Sequence, residues 1–244
     1  MRRELAQYFT PQPVAAFALD ALTAFGLGTG PLRVIDPACG EGVFLLEALR
    51  RFPEAELWGC DLDERLAPRW RAAGLAGPRI HLQVQDGLLD ASLFGPRAGS
   101  FSLVVGNPPY GLGMARPATG EPIEALFLRR FVQLAEPGGW LALVVPEGIL
   151  TNRRQQRLRD WLLERAAPKA IVTLPECAFA GMGTHARTAL LFARKGREAA
   201  DGVLMASPAA SRGGEGLERY LAEVLATIRS STRNVPSRGR RRAR

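Results

Sequence analysis

Arg33-Val34-Ile35-Asp36-Pro37-Ala38-Cys39-Gly40-Glu41-Gly42-Val43-Phe44 reads as a short buried strand, a turn of small residues and the start of a helix. Leu45, Leu46 and Leu49 give that helix an apolar side to about Phe52. The same alternation runs outward in both directions. Upstream, Thr10 and Pro11 read as an N-cap and a first-turn proline. Val14, Phe17, Ala18, Ala21, Leu22 and Phe25 then form one helical face, which Gly26 can end. Downstream, strands are expected at Glu56–Leu62, Ile80–Gln85, Phe101–Gly106, Trp140–Val145, Ala170–Leu174 and Ala189–Ala193, with Val203–Ala206 as a candidate eighth. Helices are expected at about Arg65–Ala73, Ile123–Ala135 and Arg153–Ala166. Pro137-Gly138-Gly139 reads as a turn, and Leu217, Tyr220, Leu221, Val224, Leu225 and Ile228 mark a last helical face.

Strands alternating with helices predict an α/β fold: a Rossmann-like, mostly parallel, seven-stranded sheet with helices on both faces. Ligands of such sheets sit beyond the carboxyl ends of the strands. Four of those ends carry unusual chemistry: Asp36–Gly42, Asp61, Asp86 and Asn107–Tyr110.

Bulk properties narrow the class. Hydrophobic residues make up 47% of 244, enough for a full core. No apolar run reaches the roughly 18–20 residues of a membrane span, and the first residues lack a signal-peptide apolar region. A cytoplasmic protein with no membrane partner is expected. Cys39, Cys60 and Cys177 are too few and too scattered for a disulfide framework or a zinc site, so no metal is expected. The net charge of +8 includes six arginines between Arg233 and Arg244. Without them the body is nearly neutral. Such a tail suits a polyanion or is simply a solvated end.

The turn after the first strand lets a ligand approach the backbone closely, and the helix behind it offers free amides. It is neither a GxGxxG fingerprint nor a P-loop. A tight strand–helix turn alone would also explain it. Asp61, some twenty residues on, can accept hydrogen bonds from both hydroxyls of an adenosine ribose. Asp63 is a rival that alternation points the other way. Asp86 can accept from an adenine amino group, and Leu62 can pack on the ring.

Asn107-Pro108-Pro109-Tyr110 is the most specific feature. Two prolines fix φ, remove two donors and turn the chain stiffly out of the sheet. The Asn107 amide oxygen and the Pro108 carbonyl then form two acceptors for one amino group. Tyr110 offers a flat face to a heterocycle. Acceptors aimed at a nitrogen gaining positive charge suit a conjugated amine such as adenine N6.

The sequence resembles the N6-adenine DNA methyltransferases of the gamma motif order, which include modification subunits of type I restriction systems. The resemblance runs from about Gln7 to Lys195, through Gln7–Ala15, DPACGEGVF (Asp36–Phe44), GCDLDE (Gly59–Glu64), QDGLL (Gln85–Leu89), GNPPYG (Gly106–Gly111) and Glu124–Leu150. It implies a class I S-adenosylmethionine-dependent methyltransferase fold and S-adenosyl-L-methionine as cofactor. Thr10, Asp36 and the backbone of Ala38, Cys39 and Gly40 would lie near the methionine part. Asp61 and Leu62 would hold the ribose and adenine, with Asp86, Gly87 and Asn107 also at the cofactor. Asn107, Pro108, Pro109 and Tyr110 would hold a flipped adenine of DNA. Phe179 would stack on that base's other face, unless it packs in the core. Flipping follows because N6 in a duplex is not presented to a deep pocket.

The resemblance also implies a division of the chain. Residues 1–197 would form the catalytic domain, 198–230 a short strand and helix, and 231–244 a disordered basic tail. Only about fifty residues follow Lys195. A separate specificity subunit would then read the DNA sequence, or the tail would bind DNA loosely. Competing readings are a methyltransferase of rRNA guanine N2 or of a protein glutamine amide, and a catalytically retired subunit with the same fold.

Overall fold

The computed structural model describes residues 9–88, 95–110, 120–182, 187–197, 202–208 and 216–233. Gln7, Tyr8, Leu89, Gly111, Gly183, Thr184 and the tail beyond Arg233 lie outside them. In chain order the elements are α1 (Gln12–Ala24), β1 (Arg33–Asp36), α2 (Val43–Arg51), β2 (Glu56–Asp61), α3 (Leu66–Ala72), β3 (Ile80–Val84) and β4 (Phe101–Gly106). There follow α4 (Ile123–Leu134), β5 (Ala135–Pro146), α5 (Glu147–Thr151), α6 (Gln156–Leu163), β6 (Ala166–Thr173), β7 (Thr188–Lys195), β8 (Leu204–Ala206) and α7 (Leu217–Arg233).

The sheet order is β3-β2-β1-β4-β5-β7-β6-β8. Pairing is parallel except on the two sides of β7, which is antiparallel to both β5 and β6. The chain winds from β1 outward to β3, then crosses back to lay β4 on the other side of β1. That reversal opens a crevice between the carboxyl ends of β1 and β4.

Neighbouring strand residues face opposite layers. Val34, Leu57, Leu103 and Val105 join α1, α2 and α7 in one apolar cluster. Ile35, Trp58, Val104 and Leu143 join α4, α5 and α6 in the other. The continuous apolar runs of the central strands are therefore a sheet covered on both faces.

Several expectations need correction. The sheet has eight strands rather than seven, because β8 pairs with β6 in register Ala170–Leu204. Thr10 does not cap α1. Pro11 is the N-cap, and its carbonyl accepts from the Val14 amide at 3.0 Å. Pro137–Gly139 is not a free turn: Ala135 pairs with Phe101 and Trp140 with Leu103, so the segment is an irregularity inside β5. The charged helix expected to run to Ala166 ends at Leu163, and β6 starts at Ala166, four residues early. Pro168, which cannot donate, lies at a break in the β6–β7 register.

The last elements share this core. Leu221, Val224 and Ile228 of α7 are buried in the same cluster as α1, and the Tyr220 hydroxyl donates to the Thr173 carbonyl of β6 at 2.9 Å. No helix of the described residues is long and apolar enough to cross a membrane.

Candidate functional site

β1 ends at Asp36, whose side chain is only 1% exposed. It accepts from the Ala38 amide at 3.1 Å and so holds the turn that follows. Burial, reinforced by the negative charge of Asp61, pushes its pKa up to about 8. The chain reverses through Gly40, at φ 52°. A Cβ there would stand 3.1 Å from the ring of Phe9, so the segment before α1 closes directly over the turn.

The turn is fastened from three sides. The Gly40 amide donates to Asp61 at 2.9 Å, and the Gly40 carbonyl accepts from the Trp70 indole of α3 at 2.7 Å. The Cys39 amide donates to the Cys60 carbonyl at 2.9 Å. Beside it, Gly87 after β3 comes so close that a Cβ would stand 1.9 Å from the Pro37 carbonyl oxygen. Burial raises the pKa of both Cys39 and Cys60, so both sulfurs stay as thiols.

The expected site residues fall on one rim. Asp61 takes a second bond, from the Asp63 amide at 3.1 Å. Asp63, the rival acid, instead pairs with Arg65 at 2.6 Å and accepts its backbone amide at 3.1 Å. Leu62 is 51% exposed just after β2, with its side chain open to the rim. Asp86 accepts from the Leu88 amide at 2.7 Å, while Arg130 of α4 donates to the Gly87 and Leu88 carbonyls. Thr10 is half-buried just before α1.

Across the crevice, β4 delivers Asn107, Pro108, Pro109 and Tyr110 beside this turn. At Gly106 a Cβ would lie 2.8 Å from Asp36 Oδ1, which shows how closely the two strand ends meet. Asn107 and Pro109 are half-buried, Pro108 is buried and Tyr110 is 5% exposed. Phe179 lies on the short helical turn Glu176–Met182 after β6, on the same rim. Its side chain is 2% exposed within the apolar cluster, so here it packs as a core residue.

Sequence reasoning missed the supports Trp70 and Arg130, which act through contacts distant in sequence. It reached Gly87, expected at the cofactor, and Phe9, inside the Gln7–Ala15 motif, but not the contacts to Pro37 and Gly40 that place them. It also missed how α1 is docked. Buried Glu47 of α2 accepts from Gln12 at 2.9 Å and pairs with Arg50 and Arg51, while Arg51 also reaches Asp20 at 2.7 Å. Burial alone would raise the pKa of Glu47, but the Gln12 and Arg51 hydrogen bonds bring it below the ordinary carboxylate value. Among the described residues no His, Cys, Asp and Glu cluster could hold a metal ion.

Comparison with known proteins fits this geometry. The sequence model of the family described as N-6 DNA Methylase matches residues 2–216. A tRNA1(Val) (adenine(37)-N6)-methyltransferase of Porphyromonas gingivalis is 33% identical over 141 residues, which cover 52% of this chain and 54% of that protein. Modification methylase CviBIII of Paramecium bursaria Chlorella virus NC1A is 25% identical over 187 residues, 73% of this chain and 45% of that one. The chain thus spans about half the length of these curated relatives. In fold it is similar to a type I restriction-modification methyltransferase subunit from Streptococcus thermophilus, with a TM-score of 0.73 at 22% identity over 91% of this chain and 53% of that one.

The fold is that of the class I S-adenosylmethionine-dependent methyltransferases, and fold and family together imply S-adenosyl-L-methionine as the cofactor. The residues present fit that molecule. Asp61 and Asp86, at and just past the ends of β2 and β3, disfavour a polyphosphate and favour a ligand with hydroxyl and amino donors, while burial holds Asp36 at the end of β1 towards its neutral acid. Leu62 offers an apolar face for a flat ring, and Gly40 leaves the backbone approachable. On the match across residues 2–216, with this fold and this rim, the chain belongs to the N-6 DNA methylase family.

Proposed function

We propose that this chain transfers a methyl group from S-adenosyl-L-methionine to the exocyclic N6 of an adenine in DNA, as the catalytic part of a restriction-modification system. The observation that carries the reading is the placement of Asn107-Pro108-Pro109-Tyr110 at the end of β4, against the Asp36 turn.

When bound, the cofactor supplies an electrophilic methyl group on a sulfonium and leaves as the thioether. Asp61 would accept from its ribose hydroxyls and Asp86 from its adenine amino group, with Leu62 against the ring. Thr10, Asp36 and the Ala38–Gly40 backbone would take the methionine part, with Gly87 packing the floor of the cradle. The Asn107 amide oxygen and the Pro108 carbonyl would accept hydrogen bonds from the two N6–H groups and turn the nitrogen lone pair towards the methyl. Those acceptors gain strength as the nitrogen becomes positive, and alignment supplies most of the remaining acceleration. Pro109 keeps that turn rigid and Tyr110 would lie against the base. N6 then carries one proton too many and loses it to solvent water after the transfer, so no catalytic base is required. For Phe179 to stack on the base it would have to leave its present packing.

DNA is the partner this reading requires, and a separate specificity subunit that reads its sequence fits it as a second. It is supported by the family description and by the modification enzymes among the relatives. A second reading, an adenine of structured RNA, is favoured by the tRNA methyltransferase among them.

The test is transfer of tritiated methyl to unmethylated genomic DNA, with tRNA, rRNA and release factor in parallel. N6-methyladenine from DNA, lost in Asn107→Ala, is the expected product. Label in tRNA adenine would establish the second reading. Label in guanine or glutamine would overturn both.

A further inference from the structure

Most arginines of the described residues are already engaged. Arg33, Arg51, Arg65, Arg69, Arg79 and Arg129 each meet a carboxylate. Arg153, Arg154 and Arg157 do not. They are exposed, and among the described residues they have no carboxylate partner. From Gly148 to Arg159 the chain carries four arginines and no acid. The fourth, Arg159, points inward as a clamp: it donates to the Ile149 carbonyl at 2.9 Å, the Asn152 carbonyl at 2.8 Å and the Gln156 side chain at 2.7 Å. Asn152 accepts the Arg154 amide at 2.9 Å and starts the helical run that continues into α6. The three guanidiniums therefore stand on a braced turn, Arg153 and Arg154 in its short 3-10 segment and Arg157 in the first turn of α6.

Their place in the fold gives them a use. β5 is parallel to β4, with Leu143 level with Gly106. It runs three residues further, about 10 Å, before α5 begins. The arginines are thus on the rim that bears Asn107, one strand over. A duplex presents a phosphate charge about every 1.7 Å of its axis, and arginine is suited to bidentate phosphate contact.

We propose that Arg153, Arg154 and Arg157 form a phosphate-contacting surface. It grips the DNA backbone beside the target nucleotide and holds the strand while the adenine enters the site. This rests on the proposed DNA substrate. Contacts of this kind position the strand without reading its sequence.

The test is binding of a labelled unmethylated duplex by fluorescence anisotropy over a salt series. It uses the whole chain and the triple variant Arg153→Gln/Arg154→Gln/Arg157→Gln. A control triple, Arg71→Gln/Arg197→Gln/Arg229→Gln, removes the same charge elsewhere. Arg229 lies beside Asp20 and Ala24, at the far end of α1 from Phe9, and Arg197 follows β7 at the end of the sheet opposite Asn107. The slope of log affinity against log salt should flatten by about 2–3 in the rim triple, near 0.9 per lost contact. The control should keep its slope, and cofactor affinity should stay constant in both, showing that the fold survives. Equal flattening in both triples, no flattening in the rim triple, or no duplex binding by the parent chain overturns the surface. Methyl transfer to DNA with an unflattened slope sinks the surface but spares the proposed function. Transfer to RNA alone, with RNA affinity lost in the rim triple, overturns the DNA assignment of both.

Discussion

The turns after β1 and β4 meet at one crevice and are built in opposite ways. The β4 turn is stiff by its own chemistry. Two prolines restrict it whatever surrounds it. The β1 turn is flexible by composition and rigid only by its neighbours: Phe9 above Gly40, Trp70 on its carbonyl, Asp61 on its amide and Gly87 beneath Pro37. Chemistry that must aim two acceptors at one nitrogen is written locally. A cradle that must close around a whole cofactor is written across the domain.

This contrast is breakable, first at the reacting end. Asn107→Ala should lower single-turnover methyl transfer by about 10²–10³-fold, the loss typical of one preorganised polar group. Cofactor affinity, read by calorimetry, should change far less, and the melting temperature hardly at all. An equal loss in cofactor affinity would mean that the β4 turn belongs to the cradle as well.

Next comes the buried acid of the β1 turn. Asp36 has a folded pKa of about 8, against 3.8 for the ordinary side chain. The folded state therefore holds the proton more tightly than the unfolded one. The stability this contributes is full below about pH 4 and is lost as pH rises towards 8. The slope is about 1.4 kcal/mol per pH unit within that window. Asp36→Asn should gain stability relative to the parent as pH goes from 5 to 7.5 in urea unfolding without cofactor. Parallel pH profiles for the two proteins would show that Asp36 is ionised throughout.

Legibility in the sequence follows the same contrast. The apolar runs that became β4, β5 and β7 are local patterns, and so is NPPY. Asp61 and Asp86 were readable because strand ends are readable. Glu47 was not: a glutamate on an amphipathic helix looks solvated until Gln12 and Arg51 are known to reach it. The resemblance put Gly87 at the cofactor, but its need for a bare α-carbon comes from Pro37, fifty residues upstream, and no local pattern shows that. The pattern around Phe179 fits base stacking and core packing equally, and its side chain is in the core cluster. The early start of β6 was hidden by Pro168, which reads as a strand breaker but is tolerated at a register shift.

Gly87→Ala tests the long-range half directly. The added methyl meets backbone oxygen, which cannot rotate away, so the strand ends must part. A loss of about 1–3 kcal/mol is expected, the usual scale of overpacking, together with weaker cofactor binding. Gly148→Ala is the control on the β4–β5 side, since a Cβ there meets nothing within 4 Å. It should be neutral within about 0.5 kcal/mol. Similar losses at both glycines would erase the distinction between the two sides of the crevice.

The smallest effect is also the most selective. Trp70→Phe removes the donor to the Gly40 carbonyl and little of the aromatic bulk. A neutral hydrogen bond of this kind contributes about 1 kcal/mol, and leaving the acceptor unsatisfied costs on a similar scale. A stability loss of about 1–2 kcal/mol is therefore expected. The informative quantity is the cofactor. If α3 holds the turn in shape through this bond, the Gly40 amide loses its alignment on Asp61, and affinity should fall several-fold while Asn107-dependent transfer at saturating cofactor is unchanged. A stability loss without an affinity loss would mean that Phe9, Asp61 and Gly87 suffice to shape the turn. Trp70 would then be packing for α3, and the cradle would depend on fewer distant contacts than its geometry suggests.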